Sequence, residues 1–328
     1  MNHSKKVLIT GATGFVGRHL IDFLSAPSAK PSVEIFGTCF PEQPEHCVDL
    51  CAKAPFVKLS HTDLRSEESV HDLVKNVRPD RIFHLAAISQ VRTSWEKRRE
   101  TMETNLMATF HLFEAVRRFV PRARVLFISS SDVYGNPPPN KGRRPFREEA
   151  KIGMVSPYAL TKAGGELLAE FYAGKENLDI VIARPFPHTG PGQTPDFVCS
   201  DWARQIALIE KGKIPAVIHV GNLKPCRDYS DVRDVVRAYD LLMKKAKRGE
   251  VYNICSGKAP SLKQILRMLV SRSARKISVR VDPAKLRKID ILYLAGSNRK
   301  IKSQTGWEPR IPLEQTLKDL LDDWREKG

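Results

Sequence analysis

Val7-Leu8-Ile9-Thr10-Gly11-Ala12-Thr13-Gly14-Phe15-Val16-Gly17 runs from an apolar strand through a glycine-rich turn into the start of an apolar helix. Gly11 permits the tight turn, Gly14 lets the backbone approach a pyrophosphate, and Gly17 lets the helix pack closely on the strand. The first N–H groups of a helix have no partner within it, and the helix dipole favours an anion there. Thr13, Phe15 and Val16 complete the candidate contacts of this turn, and Arg18 follows as a candidate cation. Three spaced glycines alone would say little, but here a strand precedes them and a helix follows. The stretch predicts a doubly wound α/β sheet that holds a dinucleotide.

Outward from this loop, strand-like and helix-like segments alternate. Val33 to Cys39, Phe56 to Leu59, Arg81 to Ala87, Val125 to Ser129 and Ile180 to Ala183 are strand-like. Helical spacing appears in Phe15 to Leu24, after the N-cap candidate Ser66, in Leu106 to Phe119 and around 158 to 173. Such alternation predicts a parallel sheet covered on both faces. The second half is less regular, with Asp231 to Lys245 helical, Val251 to Cys255 strand-like and Leu313 to Trp324 an amphipathic helix. The expected organisation is a dinucleotide-binding domain over residues 1–184, to which 228–255 returns. A smaller α/β domain would be formed by 185–227 and 256–328.

Composition excludes several classes. With 41% hydrophobic and 28% charged residues, the 328-residue chain is neither disordered nor fibrous. It has no apolar run long enough for a spanning helix, and Val7-Leu8-Ile9 is too short for a signal-peptide core. A cytoplasmic protein is expected. The net charge of +17 favours anionic partners. Nucleic acid is disfavoured, because neither zinc-finger spacing nor interleaved aromatic and basic residues occur. Six scattered cysteines read as reduced thiols. His46, Cys47 and Cys51 lack a fourth ligand, so no metal is expected.

The second strand ends Gly37-Thr38-Cys39-Phe40-Pro41, without the carboxylate that would bind the adenosine ribose of NAD and without an arginine for a 2′-phosphate. NADP(H) is favoured, leaving NAD(H) open. Asp63 is a candidate for the adenine edge. Tyr158 and Lys162 are spaced to share one helix face, where an ammonium would lower the phenol's pKa for proton transfer. Ser130 follows a buried strand and could hold a substrate oxygen.

Gly11 to Gly17, His84-Leu85-Ala86-Ala87, Asn105, Ser129 to Gly135, Tyr158 with Lys162, and Arg184-Pro185-Phe186 occur here in one order. In this the chain resembles the extended short-chain dehydrogenase/reductase family over nearly its whole length. His188 to Gln193, Arg227 to Asp234 and Val251 to Gly257 are most similar to the branch acting on GDP-sugars. The resemblance implies Tyr158 as general acid to a sugar C4 oxygen, with Ser130 on the same oxygen and Lys162 at the nicotinamide ribose. It adds Leu64, Leu85, Ala86, Ala87 and Asn105 to the cofactor contacts. Ser89, Gln90, Phe197 and Val198 would face the sugar nucleotide, with Arg227 and Arg287 on its diphosphate and Asp290 nearby.

The implied reaction is NADPH-dependent reduction of the C4 ketone of a GDP-4-keto-6-deoxyhexose to a product such as GDP-rhamnose. Asp132 stands where a dehydratase would carry its glutamate, and Ser130 where it would carry threonine; both favour reduction. Dehydration of GDP-mannose and other nucleotide-sugar epimerisations or reductions remain alternatives, as does a non-catalytic regulator using its basic face on RNA. The family departures are Pro187 for asparagine, Lys288 for proline and Asp290 for glutamate. The family's dimer faces correspond to Leu106 to Phe119 and Pro157 to Ala173, implying a homodimer.

Overall fold

In the computed structural model, which describes residues 4–26, 33–40, 50, 52–137, 142, 144–286 and 291–327, the opening apolar run is a central strand. The first six strands are β1 (Lys5–Thr10), β2 (Val33–Cys39), β3 (Lys58–His61), β4 (Arg81–His84), β5 (Arg124–Ile128) and β6 (Asp179–Pro185). With the Val251–Ile254 strand they form a seven-stranded sheet in the order Val251–Ile254, β6, β5, β4, β1, β2, β3. Every pairing in it is parallel. The order reverses between β1 and β4, which opens a crevice beyond the carboxyl ends of those two strands.

Both faces of the sheet are covered, as a parallel sheet requires. Ile9 shares a buried cluster with Leu20 and Ile21 of the Phe15–Ser25 helix and Val235 and Tyr239 of the Val232–Lys245 helix. Leu8 faces the other way, into a cluster with Val70, Leu112 and Ala169 from the Glu67–Val77, Ala108–Phe119 and Pro157–Gly174 helices. Ser66 caps the first of these, accepting from Ser69 N at 3.2 Å. Trp202, Ile206, Ile218, Leu269, Leu317 and Leu320 make a separate core in the second half. The amphipathic tail, Leu313–Lys327, buries its apolar face there.

Three expectations are corrected. Arg81 to Ala87 is strand only as far as His84, and residues 85–87 leave the ladder at the crevice. Leu106 to Phe119 is not one regular helix: a π-helical turn, Glu103–Met107, precedes Ala108–Phe119. The turn brings Asn105 to the Ile88 backbone, where it accepts from Ile88 N at 2.8 Å and donates to Ile88 O at 3.1 Å. Single π-turns often mark such functional positions. Finally, Cys199, Cys226 and Cys255 are free and buried, but Cys39 is disulfide-bonded, against the reading of all six cysteines as reduced.

Among the described residues no helix is long and apolar enough to cross a membrane. Nor is any group of three or more His, Cys, Asp or Glu side chains placed to hold a metal ion. His46, Cys47 and Cys51 lie outside the described residues, as do Arg287, Lys288 and Asp290.

Candidate active site

The glycine loop has the shape its spacing predicts. Gly11 has φ +71°, in the left-handed region. A Cβ on Gly17 would stand 2.4 Å from the Gly11 carbonyl oxygen and 2.6 Å from that of Ala12, so only glycine lets the helix seat against the turn. Gly14 begins the Phe15–Ser25 helix with no side-chain cap on its N–H groups. Those groups and the backbone of Thr13, Phe15 and Val16 form an anion cradle. Arg18 curls back, its Nε donating to Thr13 O at 2.9 Å.

Beyond the end of β2 the structure adds a residue. No arginine follows β2 in sequence, yet Arg65 lies with its guanidinium 5.0 Å from the centre of the Phe40 ring. Arg65 also grips Asp63, with Nη2 2.8 Å from Oδ2, and its hydrogen bonds hold the Asp63 carboxyl below its ordinary range. Asp63 is thus engaged as Arg65's counter-ion, with Leu64 buried behind it. The Asp63-x-Arg65 spacing was visible in the sequence, but the approach of Arg65 to Phe40 depends on the pairing of β3 with β2.

Across the crevice, Ser156 caps the Pro157–Gly174 helix, accepting from Ala159 N at 3.1 Å, and Pro157 occupies its first turn. Tyr158 is fixed further by its backbone N–H, which donates to Ser94 Oγ at 3.2 Å. Ser130, just past β5, accepts from Asp132 N at 3.1 Å and starts a short 3₁₀ turn, Ser131–Tyr134. Ser130 and Tyr158 are both buried, and the Ser130 hydroxyl acts on the Tyr158 phenol.

Electrostatics at Tyr158 differ from the expectation. Burial, helped by the Asp132 charge, pushes its phenol well above the ordinary tyrosine value, and the Ser130 hydrogen bond opposes this. Lys162 does not lower it. Instead its ammonium donates to Ile128 O at 2.7 Å, and burial pushes Lys162 down to about 8 against the opposing charge of Glu166. His84, buried between Thr10 and Thr109, is driven down to about 3, first by burial and then by Lys162, so it is neutral.

Leu85, Ala86 and Ala87 follow β4 beside the glycine loop, and a Cβ on Gly11 would come within 3.0 Å of the Ala86 backbone. Ser89 is exposed, and Gln90 Oε1 accepts from Thr93 Oγ1 at 2.7 Å. Phe197 and Val198 are half-buried at the start of the Val198–Glu210 helix. Half-buried Arg227 donates through Nη1 to Cys226 O at 3.0 Å. Beside it is a residue that motif spacing did not single out. Asp228 is fully buried and accepts from the backbone N–H groups of Ser256 (2.8 Å), Gly257 (2.9 Å) and Gly296 (3.2 Å). It ties two separate loops to the backbone of Arg227. Pro187 donates nothing, and its carbonyl accepts from Ser230 N at 2.9 Å.

The arrangement defines a class of protein: a dinucleotide cradle at a sheet's switch point, facing a buried serine–tyrosine–lysine group suited to carbonyl chemistry. The family model for GDP-mannose 4,6-dehydratase matches residues 8–320, and the chain belongs to this family of extended short-chain dehydrogenases/reductases. It is 31% identical to a GDP-6-deoxy-D-mannose reductase of Pseudomonas aeruginosa over 99% of this chain and 98% of the relative. The solved structure of RMD from Pseudomonas aeruginosa complexed with NADPH superposes with a TM-score of 0.84 at 29% identity, covering 99% of this chain and 100% of that one. The Thermus thermophilus UDP-glucose 4-epimerase complexed with NAD gives 0.83 at 25%, covering 98% and 100%.

Proposed function

We propose that the chain is an NADPH-dependent reductase that converts the C4 ketone of GDP-4-keto-6-deoxymannose to an alcohol, forming a GDP-6-deoxyhexose such as GDP-rhamnose. The observation that carries this is the burial of Tyr158 beside Ser130 and the Asp132 charge, which favours the protonated phenol. A reductase needs Tyr158 as an acid at the start of the reaction. A dehydratase, which first oxidises C4, needs it as a base. The reductase relative, matched over nearly the full length of both chains, supports the same choice.

Residues 1–184 with 228–255 are proposed to hold the dinucleotide, and 185–227 with 256–328 the nucleotide sugar. The Gly11–Gly17 cradle fits a pyrophosphate, and the missing carboxylate after β2, with the likeness to an NADPH complex, favours NADP(H) over NAD(H). When bound, the cofactor would supply the hydride to C4. Ser130 hydrogen-bonds the C4 oxygen, and Tyr158 donates the proton that completes the alcohol. Lys162 is proposed to hold the nicotinamide ribose, and Asn105 to support the Ile88 backbone beside it. Arg227 is proposed for the diphosphate, where a guanidinium grips oxygens bidentately. The roles of Arg287 and Asp290 rest on the family resemblance alone.

A homodimer in the cytoplasm completes the proposal. Leu160, Leu167 and Phe171 on the Pro157–Gly174 helix are 48%, 66% and 53% exposed, an apolar face that a second copy would cover. Sedimentation should give a species of twice 37.0 kDa; a purely monomeric one rejects the dimer.

A paired assay tests the activity. GDP-4-keto-6-deoxymannose with NADPH should lose nicotinamide absorbance, and NMR of the product then gives its C4 configuration. GDP-mannose with NADP⁺ should remain unchanged. A 4-keto sugar in the second tube would instead make the protein a dehydratase.

A further inference from the structure

Beneath Ser130, Tyr158 and Lys162 lies a pair of opposite charges that the reaction above does not use. Glu166 and Arg184 have side chains 1% and 4% exposed. Arg184 donates through Nε to Glu166 Oε1 at 2.8 Å and through Nη2 to Oε2 at 2.6 Å, a bidentate clasp. Ser129 Oγ donates to the same Oε1. On its other side, Arg184 Nη1 donates to Tyr134 Oη at 3.0 Å and to Glu148 O at 2.9 Å. Tyr134 in turn donates to Asn253 Oδ1 at 2.7 Å.

Stability is a weak reason for such a pair. Burying each ion costs several kcal/mol, and apolar replacements of both partners are often neutral or better. What the pair touches is more informative. Ser129 adjoins Ser130, and Tyr134 ends the 3₁₀ turn that Ser130 caps. Glu166 stands four residues beyond Lys162 and eight beyond Tyr158, on the same side of one helix. The bidentate clasp therefore joins β6 to the helix that carries Tyr158 and Lys162, and the hydroxyls of Ser129 on Glu166 and Tyr134 on Arg184 tie in the segment that carries Ser130.

We propose that Glu166 and Arg184 form a positioning unit for proton transfer, fixing Ser130, Tyr158 and Lys162 relative to one another and holding the charge of Lys162. The proposal rests on the reading of Tyr158 as proton donor. Several groups face this centre. Lys162 feels Glu166 on its own helix, neutral His84 from β4 and the Phe127 ring from β5. Tyr158 also feels Asp132 from the 3₁₀ turn, and Tyr239 from the Val232–Lys245 helix lies within its electrostatic reach. Of these charges, Glu166 is the one that opposes the loss of the Lys162 proton.

Three variants test the proposal: Ser129→Ala, which removes one hydroxyl link; Glu166→Asp, which keeps the charge; and the double variant Glu166→Gln with Arg184→Gln, which removes both charges. The readouts are kcat against pH, NADPH affinity against pH by fluorescence quenching, and thermal melting. Ser129→Ala should lose about 3–10-fold in kcat, and the double variant ~30-fold or more, because small displacements of catalytic groups are costly. At pH 7 both should bind NADPH within about threefold of the parent. In the double variant the alkaline decline of kcat and of NADPH affinity should begin roughly one pH unit lower, as expected when a nearby opposite charge is removed. Glu166→Asp should keep both declines at the parental pH.

Parental kcat in Ser129→Ala, or parental alkaline declines in a folded double variant, would overturn the proposal. Should the double variant not fold, Ser129→Ala decides by its kcat. If the parent protein reduces no GDP-linked ketone, the reductase reading falls instead, and the NADPH-affinity profiles still judge the positioning unit.

Discussion

The two sides of the crevice are built in different ways. The proposed cofactor side is mostly local: one continuous stretch, Gly11 to Gly17, makes the cradle, and Gly14 and Gly17 meet atoms of that same stretch. The proposed sugar side is assembled from distant pieces. Its Cys226–Arg227 strand pairs with Tyr293–Leu294, and Asp228 holds loops near residues 256 and 296. The two sides meet where Phe15 stacks on His188, ring centres 6.4 Å apart, and where His19 Nε2 pairs with Pro191 O at 2.8 Å. A local device survives changes elsewhere, whereas an assembled one depends on every segment that supplies it.

Four substitutions probe this contrast. The largest effect is expected at Tyr158, which faces both sides. Tyr158→Phe should cut kcat by about 10²–10⁴-fold, the usual worth of a general acid, while leaving NADPH affinity near parental. Parental turnover would remove Tyr158 from the chemistry. Next is Gly17→Ala, whose Cβ must displace the Gly11 and Ala12 carbonyls. It should weaken NADPH binding at least tenfold and cost ~1–3 kcal/mol of stability, the range for overpacking. The KM for the sugar nucleotide should stay near parental. An equal loss at both sites would show that the two sides are not independent.

Arg227→Ala should act in the opposite sense. It should raise the sugar-nucleotide KM roughly tenfold, about the worth of a charged hydrogen bond, with NADPH affinity unchanged. The smallest effect concerns the ion pair that ties the Val198–Glu210 helix to the tail. Arg325 Nη2 and Nε each lie 2.8 Å from a Glu210 oxygen, and their hydrogen bonds hold the Glu210 carboxyl below its ordinary value. A carboxyl depressed in the folded state adds stability above its unfolded pKa and loses it as pH falls through the folded one. Glu210→Gln should therefore cost under ~1 kcal/mol at pH 7, and the difference should vanish in chemical denaturation carried out in acid, below both pKa values.

Much of the sheet was legible because its signals are local. Val7-Leu8-Ile9 can only be a buried strand next to a turn with three spaced glycines, and Ser66 begins a helix by capping it. The π-turn at Asn105 was not legible, because its cause is a contact with Ile88, 17 residues away. Arg65 was missed for the same reason. Its position at the end of β2 follows from strand pairing and not from spacing.

The sequence by itself determined the periodicities, the glycine turn and the four-residue spacing of Tyr158 and Lys162, since each follows from the geometry of a single strand, turn or helix. The electrostatics came only with the tertiary structure. Spacing placed an ammonium one turn from a phenol, and the expected consequence was a lowered tyrosine. Burial reversed it: the phenol is pushed up and the ammonium down, and Lys162 turns to the Ile128 carbonyl. Desolvation depends on what surrounds a group in three dimensions. The same holds for Glu166 and Arg184, which lie 18 residues apart and become a bidentate pair only once the helix packs on the sheet.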